Sequence, residues 1–278
     1  MWADFAETET TEIIRHDGEP LYQLSASSIS TLLTCPEKFR ISYLHGIWPK
    51  SSGATVLGNA YHHARQVNYE QKVFSGADLP PQAIGAAYDE GWQNAVSDEI
   101  QWRDSDPLEL WALGKRMALQ YHEKISPSVV PVAVEERFKL EIPGVGVPVV
   151  GRIDVRDATT MIDTKTQDKG AKKPEPGWRP QAFLYCAARP GYDFEWHVHA
   201  KSGQTVIWTP RMKDAKGLRF ANTSARRHAA EQIARHAWGL LVHLYDSYGI
   251  QQPWPAHGLV HGFACKWCSY KGRCWGWV

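Results

Sequence analysis

The chain has 278 residues, 43% hydrophobic and 22% charged, which is enough apolar material for one large domain or two small ones and too much for a disordered chain. Lys and Arg total 31 against 30 Asp and Glu, so no global positive field announces a nucleic-acid partner, and any such contact must come from local patches. No run of about 18 apolar residues occurs, and the opening MWADFAETETTE is acidic and polar, so neither a spanning helix nor a secretory leader is expected and a cytoplasmic protein is predicted.

Residues 1–24 are polar and lack a clean period, and they are expected as a loosely ordered lead-in. From Ser25, serine caps precede Ile29, Leu32, Leu33, Phe39, Tyr43 and Leu44 at the spacing of helical turns. LGNAYHHARQVNYEQ predicts a second helix, and 82–101 and 107–125 two more, the last opened by Pro107. The texture then changes. VVPVAVEERFKLEIP, VPVVGRIDVRD and TTMIDTK are short, β-branched and turn-separated, which predicts a three-stranded antiparallel meander. GWRPQAFLYCAA returns to helix, YDFEWHVHA and QTVIWTP alternate as a hairpin about Lys201-Ser202-Gly203, and a long helix is predicted over 217–248. This order predicts an α/β fold with a central mixed sheet flanked by helices.

The sharpest chemistry lies in GRIDVRDATTMIDTKTQ. Asp154 ends one strand, and Asp163 and Lys165 share a face of the next, because strand side chains alternate. Two carboxylates and an ammonium on one surface suit phosphodiester hydrolysis: the acids hold magnesium or manganese, and the lysine orients or activates water. Upstream stands Gly58-x-x-x-His62, whose imidazole would complete a mostly oxygen-ligated metal site, though His63 next to it invites confusion. Downstream, Gln181 and Tyr185 fall at i, i+4 on one helical face, where they could bond or stack on nucleic acid.

In this order, G-x-x-x-H, G-x-x-D, D-x-K and Q-x-x-x-Y resemble the RecB-like branch of the PD-(D/E)xK nucleases, over about residues 25–278. The resemblance implies a restriction-endonuclease-like core. His62, Asp154 and Asp163 would hold the catalytic Mg or Mn with a carbonyl near Thr164, Lys165 would serve the attacking water, and Gln181 and Tyr185 would contact DNA. The family also tends to carry a glutamate on the preceding strand, and alternation does not decide between Glu135 and Glu136.

Five cysteines include Cys35, followed by Pro36, and the cluster Cys265-x-x-Cys268-x5-Cys274. In a reducing compartment this spacing favours metal ligation over disulfides, and four thiolates suit zinc or an iron-sulfur cluster equally by count. The split arrangement is similar to the iron-sulfur subgroup that includes the CRISPR-associated RecB-like exonucleases and the AddB nuclease domain. It implies a 4Fe-4S cluster on Cys35, Cys265, Cys268 and Cys274, with zinc as the alternative occupant. Cys186 is expected as packing.

One nuclease domain is expected over 1–278, with a helical insertion at 76–126 and a cysteine-rich tail at 254–278 closing onto Cys35. Lys165, Lys169, Lys172, Lys173 and Arg179, with Arg211, Lys213, Lys216 and Arg219, supply local basic charge for a groove tracking single-stranded DNA without reading bases. The resemblance implies a DNA exonuclease acting on single-stranded ends. The alternatives are an end-processing endonuclease subunit of a larger complex, with protein partners in recombination, repair or CRISPR adaptation, and a non-catalytic nucleic-acid-binding scaffold.

Overall fold

The computed structural model describes residues 12–97, 99–102, 105–168, 175–201, 207–208, 219–256, 265, 268–270 and 274. The chain divides into two compact units: Met1–Pro49, Lys139–Gly151 and Ser224–Val278 form the first, and Lys50–Phe138 with Arg152–Thr223 the second.

In the first unit, β1 (Leu24–Ser25) leads into α1 (Ala26–Thr34) through a reciprocal cap, in which Ser25 Oγ accepts the Ser28 amide and Ser28 Oγ accepts the Ser25 amide. A short α2 (Pro36–Phe39) continues into a π-helical turn over Arg40–Leu44. The buried Glu37 carboxylate forks onto Arg40 at 2.8 Å and accepts the Trp254 amide at 2.8 Å, while the Glu37 amide donates to Pro255 O. Ser42 and Tyr270 hydroxyls meet at 2.9 Å. Residues from the two ends of the sequence thus share buried polar contacts, to which α7 (Ser224–Tyr248) adds a Tyr245 hydroxyl accepting the Ile14 amide.

The second unit opens with α3 (Gly53–Ser75), α4 (Pro81–Ala95) and α5 (Pro107–Lys124). Helix α3 begins four residues before the predicted LGNAYHH start because Ser52 caps it, its side chain accepting the Thr55 amide. Asp106 caps α5 in the same way, accepting the Leu108 and Glu109 amides ahead of Pro107. Leu57, Ala60, Tyr61 and Ala64 of α3 pack with Ile84, Tyr88, Met117 and Tyr121 against Val155 and Ile162 of the sheet. Each large side chain so buried contributes roughly 1.5–3 kcal/mol.

The sheet comprises β2 (Pro131–Leu140), β3 (Val149–Asp157), β4 (Thr160–Gln167), β5 (Asp193–Ala200), β6 (Ile207–Trp208) and β7 (Arg219–Phe220), with β1 on β3. It is mixed: β3 and β4 run antiparallel, β4 and β5 parallel, and β6 and β7 antiparallel to β5. The parallel pair requires a crossover, which α6 (Arg179–Ala188) supplies. Helix α6 covers the face opposite α3, with Tyr185 against Phe194 and Phe183 against Phe220. Val198 and His199 pair with Trp208 and Ile207 as the arms of the predicted hairpin, and residues 202–206 between them lie outside the described residues. Some expectations fail: α4 stops at Ala95 and does not run to 101, Arg219–Phe220 is a strand, and the long helix begins only at Ser224. No helix among the described residues is long and apolar enough to cross a membrane.

Candidate active site

The pairs Val155↔Ile162 and Arg156↔Met161 fix the β3–β4 register, and its next step sets Asp154 opposite Asp163. Alternation does the rest: Ile162 turns into the core beneath α3, so Asp163 and Lys165 turn to the α6 side. There Gln181 Nε2 donates to Asp163 Oδ1 at 2.7 Å, Lys165 Nζ donates to the same oxygen at 3.0 Å, and Lys165 Nζ donates to Gln181 Oε1 at 3.1 Å. The three side chains close a hydrogen-bonded triangle.

His62 arrives from α3. Its Nε2 lies 3.0 Å from Thr164 O, and its Nδ1 lies 3.4 Å from Asp154 Oδ2. His63 points elsewhere, 3.6 Å from Glu90 on α4. Tyr185, one turn beyond Gln181, is buried; its hydroxyl donates to Arg152 O at 2.8 Å, and its ring meets Phe138 edge-on. Tyr185 therefore braces β3 against α6. The structure brings His62, Asp154, Asp163, Lys165, Gln181 and Tyr185 into one region of the second unit.

Electrostatics there follow from burial beside like charges. Burial first, and then Asp154, raises the Asp163 pKa, while Lys165 pulls it back. Burial opposes the ammonium of Lys165, but Asp163 beside it outweighs that and holds its pKa above the ordinary value. Burial lowers the His62 pKa, with Asp154 opposing, so the imidazole stays neutral.

The strand before β3 settles what alternation could not. Glu136 faces away, bonded to Arg156 and Arg189. Glu135 pairs with Arg152, and its pKa is raised by burial and by Asp154. Glu135 is also the one non-glycine residue with positive φ among the described residues, at 54°. That left-handed kink breaks the alternation, which is why alternation could not choose between Glu135 and Glu136.

The cysteines behave differently. No disulfide joins the cysteines among the described residues, and the Cys268 amide donates to Cys265 O, so these two lie on one turn. Among the described residues, however, no three His, Cys, Asp or Glu side chains converge as a ready-made metal site. At the acids, Asp163 Oδ1 is already engaged by Lys165 and Gln181. Its buried Oδ2 lies 2.8 Å from the Lys165 charge without a directed hydrogen bond, and so keeps lone-pair capacity. Two carboxylates, the Thr164 carbonyl and a neutral imidazole are the kinds of donor that a divalent cation takes.

Of the basic residues, Lys169, Lys172, Lys173, Arg211, Lys213 and Lys216 lie outside the described residues. Arg219 is paired with Asp193 at 2.9 Å, with Glu195 at 3.9 Å, so its charge is largely spent within the protein. Arg179 is exposed at the start of α6.

A mixed sheet with helices on both faces, carrying opposed acids and a lysine on adjoining strands, defines a restriction-endonuclease-like α/β core. The chain belongs to the PD-(D/E)XK nuclease superfamily, whose family model matches residues 23–275. No curated protein matches it. Among solved structures, it shares its fold with a protein from Eubacterium rectale named a "putative exonuclease", at 11% identity and a TM-score of 0.51, covering 81% of this chain and 82% of that one. A second structure, SSO0001, is 14% identical over 91% of this chain and 94% of its own, with a TM-score of 0.37, too low to support a structural conclusion.

Proposed function

We propose that the protein is a magnesium- or manganese-dependent deoxyribonuclease that hydrolyses phosphodiester bonds, acting as an exonuclease on single-stranded DNA ends. One observation carries this reading: Asp163, Lys165 and Gln181 close a hydrogen-bonded triangle directly across from Asp154 and beside His62. Asp154, Asp163 and His62, with the Thr164 carbonyl, would hold the metal, which would polarise the scissile phosphate and favour a hydroxide-like nucleophile.

The remaining work falls to the chain itself. Lys165 keeps its proton, so it acts as a donor that orients water and offsets charge growing on the phosphate, not as a base. Gln181 fixes the ammonium from the other side, and neutral His62 keeps a nitrogen lone pair available for ligation. The exonuclease mode rests on the order of the motifs and accords with the name of the Eubacterium rectale protein of the same fold. Protein partners in recombination, repair or CRISPR adaptation, and a cytoplasmic location, belong to the same reading.

The test is cleavage of end-labelled linear and of circular single-stranded DNA with magnesium or manganese. Loss of linear substrate alone supports an exonuclease, whereas cutting of the circle supports the end-processing endonuclease alternative. Asp163→Ala and Lys165→Ala should each abolish cleavage in a folded protein; a scaffold that binds without cutting would be unaffected.

For the cysteines we propose a 4Fe-4S centre on Cys35, Cys265, Cys268 and Cys274, with zinc as the alternative. The C-x-x-C turn that brings Cys265 and Cys268 together favours it. Protein purified without oxygen should be brown and contain iron. A colourless protein containing zinc decides for the alternative.

A further inference from the structure

Most arginines around the acid pair have their donors committed within the protein. Arg156 donates to Glu136 and to the Tyr192 hydroxyl, and Arg189 to Glu136 and to the Ala188 and Arg137 carbonyls. Arg65, on α3, is 4% exposed and caged by the rings of Tyr61, Tyr69 and Tyr121, where no substrate reaches it.

Arg152 is placed differently. It stands two residues before Asp154 on β3, and because Ile153 and Val155 are buried, Arg152 and Asp154 share the other face of the strand. Its side chain is 61% exposed and pairs through Nε with the Glu135 carboxylate, itself only 18% exposed. Among the described residues, Nη1 and Nη2 have no protein partner. The backbone beneath is pinned, since the Tyr185 hydroxyl donates to Arg152 O at 2.8 Å.

A guanidinium carries five N–H donors in one plane, so a carboxylate on Nε leaves a second edge for another anion. Glu135 also restrains the side chain, so less rotamer freedom remains to be lost when that anion arrives. Two strand residues span about 6–7 Å, a distance that one nucleotide step bridges. An anion on the free edge of Arg152 therefore lies one step along a polymer whose neighbouring phosphate stands at Asp154.

We infer that Arg152 grips the backbone phosphate next to the one being cleaved, with Glu135 as the anchor that orients its fork. The inference rests on the reading of Asp154 and Asp163 as a nuclease site on DNA. A planar fork matches two phosphate oxygens and reads no base, so the contact sets the register of the strand without selecting sequence.

Fluorescence anisotropy of the full-length protein with a short, end-labelled single-stranded DNA, in EDTA to prevent cleavage, tests it across a salt series. Arg152→Gln should bind on the order of tenfold more weakly, and its salt slope should fall by about 0.7, the share of one single-strand phosphate. Exchanging single phosphates along the strand for neutral methylphosphonates should reveal one position that weakens wild type by a similar factor and leaves Arg152→Gln unchanged. Wild-type affinity and slope in Arg152→Gln overturn the inference. So does a loss that no single position reproduces, because the arginine then adds only to a general field. No DNA binding by wild type overturns the nuclease reading beneath it. Where Arg152→Gln does not fold, Arg152→Met is read in the same way.

Discussion

Gln181 and Lys165 converge on a single oxygen of Asp163, at 2.7 and 3.0 Å, and also bond to each other. The amide thus fixes both an acid and an ammonium without titrating itself. Gln181→Ala should reduce cleavage by roughly 10–100-fold, the usual cost of removing a group that orients a ligand, with little change in thermal stability. Steady-state kinetics across a magnesium series checks this. Wild-type rates would mean that Lys165 and Asp163 hold each other unaided.

Glu135 and Glu136, neighbours in sequence, should separate completely by experiment. Glu135 sits at φ 54° beside Asp154, so its backbone is strained where its carboxylate is useful. Glu135→Gly should stabilise the protein by about 1 kcal/mol by relieving that strain and should lower activity. Glu136→Gln weakens bonds to two arginines and should instead destabilise by about 1–2 kcal/mol, leaving the active-site chemistry intact. Urea unfolding with parallel activity assays distinguishes them, and equal behaviour of the two would refute the assignment.

Much of this arrangement was legible in the sequence, because strand and helix periods are local. Alternation along TMIDTK put Asp163 and Lys165 on one face, and the spacing of Gln181 and Tyr185 put both on one side of α6. What escaped was non-local. Phe220 forms a strand only because Phe194 of β5 is there to pair with it, a contact that no pattern in its own segment announces. The choice between Glu135 and Glu136 stayed open because a single left-handed residue shifts the pleat, and Arg65 escaped because a buried arginine on a helix is recognised only once its tyrosine cage is assembled.

Packing between α5 and its neighbours offers a cleaner stability test. A methyl group added at Gly114 would lie 2.0 Å from Tyr88 Oη, 2.8 Å from its Cζ and 2.9 Å from Leu57 Cγ. Gly114→Ala should therefore destabilise by roughly 1–3 kcal/mol despite its better helix propensity. The Tyr88 hydroxyl is buried without a hydrogen-bond partner among the described residues, so Tyr88→Phe alone should be neutral or stabilising and should recover part of the loss in the double variant. Thermal melts of the three variants suffice, and additive effects would show that the two sites do not touch.

Acid should unfold the protein through His199. This residue is fully buried on β5, with Nδ1 3.0 Å from the Tyr61 hydroxyl and Nε2 3.1 Å from Gln120 Oε1, contacts that suit a neutral ring accepting from Tyr61 and donating to Gln120. Burial lowers its pKa to about 3, helped by the Arg65 and Lys124 charges. The folded state thus refuses a proton that the unfolded chain takes up below its ordinary value near 6.5. Stability from the neutral ring is complete above that value and is lost as pH falls from about 6.5 towards 3, by about 1.4 kcal/mol per pH unit. Urea titrations at pH 7.5, 6 and 5 should show this slope in wild type and a shallower one in His199→Gln, the difference isolating the histidine from the carboxylates that titrate alongside it. Parallel slopes in the two proteins would mean that the ring is protonated without unfolding.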